Sequence, residues 1–143
     1  MNWREYNEQG KGKNMSSQPK LTFEEASSLV MQHLKARNWD KSNSSRGIAI
    51  SILLEASELL EYFQWQEEPV GNKQDLASEL ADIFIYAIQF AERYNIDIPL
   101  EIQKKIKKQE KKYPVEIFEN KNEAERREAW LKAKKDYKKD TTL

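Results

Sequence analysis

The chain has 143 residues, 38% hydrophobic and 34% charged, enough for one domain with a modest core. Basic and acidic residues number 24 each, so no basic excess exists to hold duplex nucleic acid by charge, and no nucleic-acid polymer is expected as a partner. The absence of Cys excludes disulfides, zinc–thiolate sites and thiol catalysis, and a single His excludes His-rich metal sites.

Residues 1–20 read as a polar N-terminal arm, with Gly10, Gly12, Ser16, Ser17 and Pro19 giving no period. Thr22-Phe-Glu-Glu25 is a capping-box pattern and opens a first helix, which carries Leu29, Val30, His33 and Leu34 to about Arg37. Asn38-Trp39-Asp40 stops it, and residues 42–45 supply a loop with N-cap candidates. A second helix is predicted over 46–65, with apolar residues on more than one face, which makes it central. Residues 66–73, with Pro69 and Gly71, form a connection short enough to make the third helix, 74–94, its antiparallel neighbour. Asp97 and Pro99 open a Lys-rich fourth helix that stops before Tyr113-Pro114. Residues 122–139 suggest one more, mostly exposed helix.

No strand alternation competes with this pattern. The expected fold is all-α, a four-helix bundle with a C-terminal extra helix, divided into the arm, a domain over 21–116 and an extension over 117–143. No apolar run reaches membrane-spanning length and no signal-peptide pattern follows the N-terminus, so a cytoplasmic protein without a membrane partner is expected.

The chemistry is expected where the second and third helices carry acids at three-residue spacing: Glu55 and Glu58 on one, Glu79 and Asp82 on the other. Residues three apart share a helix face. These acids sit among Ile52, Leu53, Leu59, Leu80, Ile83 and Phe84, and carboxylates in such company are normally paired or metal-bound. Antiparallel packing brings four carboxylates together, and oxygen-only ligands suit Mg²⁺, with Mn²⁺ as the alternative. Such a site supports hydrolysis of a phosphoanhydride. A di-iron carboxylate bundle is rejected, because it needs Glu-x-x-His on two helices and the chain has one His. The aromatics Trp39, Trp65 and Tyr86 flank the acids and could stack a nucleobase, while Arg46 and the lysines of the fourth helix could answer phosphate charge.

With these residues in view, the chain resembles the all-α nucleotide pyrophosphohydrolases of the MazG-like group, and within it the dCTP pyrophosphatase type. The resemblance runs from about Ser28 to Val115, through Arg37-Asn-Trp39, Arg46, Glu55-x-x-Glu58-Leu-x-Glu61-x-Phe-Gln-Trp65, Glu79-Leu-x-Asp82-x-x-x-Tyr86, Asp97-x-Pro99 and Lys112-Tyr-Pro114. It implies Mg²⁺-dependent cleavage of a free nucleoside or deoxynucleoside triphosphate to the monophosphate and pyrophosphate. It implies Glu55, Glu58, Glu79 and Asp82 as metal ligands and catalytic residues, Trp39, Trp65 and Tyr86 as the base pocket, and Lys105 on the phosphate side. It also implies a homodimer or homotetramer. Members of the dCTP type carry a His nine residues before the first Trp; here that position is Val30, and His33 lies three residues later. The rival from another class is a non-catalytic helical oligomerisation or interaction module, or a nucleotide sensor that turns over slowly.

Overall fold

The computed structural model describes residues 20–140, so the expected arm lies outside the described residues apart from Lys20. Every regular element among the described residues is helical, as the sequence predicts. None of these helices is long and apolar enough to cross a membrane.

Helix α1, Phe23–Lys35, starts where the capping box puts it. The Glu25 amide donates to Thr22 Oγ1 at 3.2 Å and the Thr22 amide donates to Glu25 Oε2 at 2.7 Å, so two orphan N–H groups are satisfied reciprocally. The chain then turns through Asn38 at φ 56°, a left-handed conformation that Asn tolerates better than most residues. The stretch Trp39–Ser42, expected as loop, forms a single helical turn, α2.

Helix α3, Ser45–Glu61, is capped by Ser44, whose Oγ accepts from the Gly47 amide at 3.0 Å. It ends four residues before the predicted boundary at Trp65. The Phe63 amide bonds Leu60 C=O at 2.9 Å, and the Val70 amide bonds Tyr62 C=O at 2.8 Å, which turns the chain back. Gly71 completes the turn at φ 111°, and a Cβ there would also meet the Tyr62 ring at 3.2 Å. Helix α4, Lys73–Arg93, opens with a second reciprocal cap, in which Asn72 Oδ1 accepts from the Gln74 and Asp75 amides and Asp75 bonds back to the Asn72 amide. With so short a connection, α3 and α4 pack antiparallel.

The chain divides into two compact units, the first ending at Asn95 and the second starting at Ile96. In the second, Asp97 caps α5, Ile98–Lys112, with Pro99 in its first turn. A 3₁₀ turn, Val115–Ile117, follows Pro114, and α6 covers Glu123–Asp140. Tyr113 stacks on Trp130 with centroids 6.4 Å apart, tying the end of α5 to α6.

In the first unit the buried side chains are few: Leu34, Ile48, Ile88, Ala91 and the polar Gln89. The outer face of the α3–α4 pair stays in solvent, with Leu53 67% and Leu60 65% exposed and Leu54, Leu80 and Phe84 about half exposed. The apolar content that predicts a central position for these helices is thus only partly buried within one chain.

Candidate active site

Antiparallel packing of α3 and α4 sets Glu55 and Glu58 opposite Glu79. One carboxylate oxygen from each of these three lies within 4.8 Å of the other two. Asp82 follows Glu79 by one turn, and its charge acts on Glu55. Glu55 is held above the usual carboxylate range, first by burial and then by the charges of Glu58, Asp82 and Glu79. The ion pair found among the described residues joins Lys104 to Glu101 on α5, so no direct Lys or Arg pair neutralises the cluster. Three close carboxylates of this kind fit a hard divalent cation, which would offset their mutual repulsion.

The cluster borders an open groove of about 310 Å³ lined by Glu58, Glu61, Tyr62, Val70 and Glu79. Glu61 is exposed at the rim. Tyr62, which the sequence analysis does not single out, donates from Oη to Glu79 Oε1 at 3.5 Å. Its hydroxyl is pushed above the usual phenol range, first by burial and then by the charges of Glu79 and Asp75. The available signal is spacing: Tyr62 lies four residues after Glu58 and so shares its helix face.

The aromatics fall at two levels. Trp39 is tied to the far end of α4, where Gln89 Nε2 donates to its carbonyl at 3.1 Å. The His33 ring meets its indole in a T-shaped contact at 5.9 Å between centroids, and the Arg37 guanidinium lies 5.8 Å from the ring centroid. Tyr86 precedes Gln89 by three residues, so it shares that face of α4 about one turn nearer the acid cluster. Trp65 sits beyond the opposite end of the pair, past the last turn of α3, and is 86% exposed. Gln89 and Glu79, which mark the Trp39 and Tyr62 levels, are ten residues or about 15 Å apart on α4. One chain therefore does not bring Trp39 and Trp65 together. Arg46 is exposed in the first turn of α3, and Lys105 is exposed on α5 in the second unit.

Gln89 is the second residue the sequence analysis misses. It is 2% exposed, and its Oε1 has no partner among the described residues. Leaving a buried acceptor unpaired costs about 1–3 kcal/mol. The signal was a lone amide in the run Ile88-Gln89-Phe90, at the core-facing position of an apolar helix.

Residues 50–128 match the MazG-like family. The chain is 28% identical over 110 residues to dCTP pyrophosphatase 1 of Homo sapiens, covering 71% of this chain and 65% of that one. It is 30% identical over 112 residues to dCTP pyrophosphatase 1 of Bos taurus, covering 73% and 65%. The chain thus matches just under two thirds of the length of these curated relatives. The crystal structure of a pyrophosphatase from Archaeoglobus fulgidus is similar with a TM-score of 0.57 and 25% identity, covering 69% of this chain and 98% of that one.

Proposed function

The chain belongs to the MazG-like family, and from that premise we propose that it is a divalent-metal-dependent nucleoside triphosphate pyrophosphohydrolase. It converts a free nucleoside or deoxynucleoside triphosphate, with dCTP-like substrates first in line, to the monophosphate and pyrophosphate in the cytoplasm. The observation that carries this reading is the meeting of Glu55, Glu58 and Glu79 within 4.8 Å across two helices. The naming of the curated relatives as dCTP pyrophosphatases supports it.

In this reading Glu55, Glu58, Glu79 and Asp82 hold Mg²⁺, with Mn²⁺ as a substitute. When bound there, the cation would offset charge at the phosphates and lower the pKa of water. One of these carboxylates, or Glu61 at the groove rim, would orient the attacking water. Tyr62 holds the Glu79 carboxylate in place through its hydroxyl. Arg46 and Lys105 offset phosphate charge, and the catalytic domain extends over residues 21–116, with 117–143 as an extension.

Trp39 and Tyr86 take the base. Within one copy Trp65 stands at the other end of the helix pair, so a base site that holds both tryptophans takes them from two copies of the chain. The exposed face of α3 and α4, with Leu53, Leu60 and Phe84, supports assembly into a homodimer or homotetramer, since apolar surface of that extent marks an interface.

The test is pyrophosphate release from a panel of ribo- and deoxyribonucleoside triphosphates with millimolar Mg²⁺, alongside Glu58→Ala. Metal-dependent release that Glu58→Ala abolishes is the expected result. Release of single phosphate would move the cut to the β–γ bond and overturn the reading. Tight nucleotide binding without turnover would make the protein a sensor, and neither binding nor turnover would make it an interaction module.

A further inference from the structure

Two polar side chains of α4, four residues apart on one helix face, reach across to α2. Gln89 Nε2 donates to the carbonyl of Trp39 at 3.1 Å, and Arg93 Nη2 donates to the carbonyl of Asp40 at 2.7 Å. The acceptors are consecutive carbonyls in a helix of four residues. Within the turn the Ser42 amide donates to Asn38 C=O at 3.2 Å and the Asn43 amide to Trp39 C=O at 3.3 Å, both long bonds. Its N-cap, Asn38, is left-handed and makes no side-chain capping bond, and a single turn is unfavourable in isolation. The two bonds from α4 tie the backbone of the turn to that helix, alongside the turn's contacts with α1.

The chemistry of Gln89 sharpens this. Its amide is buried with Oε1 unpartnered among the described residues, an arrangement a leucine would avoid. Its orientation is also determined: reversing the amide would aim Oε1 at the Trp39 carbonyl, acceptor against acceptor. The bond to Trp39 is what the buried amide provides. Meanwhile the indole itself, flanked by His33 and Arg37, remains 48% exposed. It is held by its backbone and left available at its ring.

We propose that Gln89 and Arg93 are positioning residues for substrate recognition, fixing the turn that bears Trp39 against α4 at a set distance from the acid cluster on the same helix. Asp82 and Gln89 are seven residues apart, about 10 Å along the axis. One rigid helix thus carries both the groups for the phosphate end and the clamp for the base end, and their separation cannot drift. The proposal rests on the reading of Trp39 as a base contact and of Glu79 and Asp82 as groups at the phosphate end.

The test uses the full chain with Gln89→Leu and Arg93→Met made singly, kcat and KM for the preferred nucleotide, and inhibition by inorganic tripolyphosphate with Mg²⁺, which carries no base. The indole N–H resonance of Trp39, assigned by its loss in Trp39→Phe, reports the ring directly. The expected result is a KM about tenfold higher with kcat within threefold, at the low end of the loss of one base stack. Tripolyphosphate inhibition stays unchanged and the Trp39 resonance shifts. Trp39→Ala raises KM equally, and adding Gln89→Leu to it has no further effect.

A Trp39 resonance and KM unmoved in both single variants would overturn the clamp. Parallel loss of kcat, KM and tripolyphosphate inhibition would overturn it too, by showing a general structural role. Failure of the underlying reading looks different: the resonance shifts in Gln89→Leu, yet Trp39→Ala leaves KM unchanged. Should Gln89→Leu not fold, Arg93→Met carries the same comparisons.

Discussion

Tyr62 Oη donates to Glu79 Oε1 at 3.5 Å, joining the residue that ends α3 to the acid that α4 contributes to the cluster. The bond crosses the turn that Gly71 allows. It is long, so its role is to orient a carboxylate rather than to hold the helices together. Tyr62→Phe is expected to weaken Mg²⁺ affinity by about tenfold, the low end for a group that orients a ligand, with activity recovering at high Mg²⁺. A Mg²⁺ titration of the rate checks this, and an unchanged midpoint would remove Tyr62 from the site.

The acids should trade stability for function. Without metal, Glu55, Glu58 and Glu79 repel one another in the fold. Glu79→Gln is therefore expected to melt at or slightly above the parent temperature in chelator. The parent should gain with metal, about 2.7 kcal/mol at a concentration 100 times Kd, and the variant should not. Thermal melts of both proteins with and without Mg²⁺ give the four numbers needed.

Proton linkage follows from the same cluster. Glu55 has a raised folded-state pKa, so the metal-free folded protein binds its proton more tightly than the unfolded chain does. The sign is then fixed: the Glu55 contribution is fully present below its unfolded pKa and is lost as pH rises through the raised folded value. Metal-free stability is expected to fall across a window starting in the ordinary carboxylate range and ending above it. Glu55→Gln should flatten that part of the profile, as read by denaturant melts at a series of pH values.

Trp39 and Trp65 give a test of assembly. If each base site takes Trp39 from one copy and Trp65 from another, Trp39→Ala and Trp65→Ala chains should complement when refolded together. Random mixing in a dimer with two such sites restores about a quarter of them, because half the dimers are mixed and each holds one intact site. Two tryptophans serving from the same chain would give no recovery.

Much of the fold was legible because its signals are local. The pairs Thr22/Glu25 and Ser44/Gly47, and the Asp97-x-Pro99 start, act within a few residues, and the helices begin where those signals put them. The end of α3 was not legible. Residues 62–65 continue an apolar, helix-compatible pattern, and what stops the helix is Val70 folding back onto the Tyr62 carbonyl, a partner outside the local window. Residues 39–42 misled for the same reason, since Gln89 and Arg93 stabilise that turn from about fifty positions away in the chain.

The sequence by itself determined the all-α class, the start of each main helix and the two acid pairs, since three-residue spacing within a helix has one outcome whatever packs on it. Only the tertiary structure decided which acids meet, that Tyr62 joins them, and that Gln89 holds the turn bearing Trp39. It also set Trp39 and Trp65 at opposite ends of the helix pair. Those relations depend on the register between α3 and α4 and on where α3 stops, both of which are fixed by long-range packing and hydrogen bonds that no local pattern encodes.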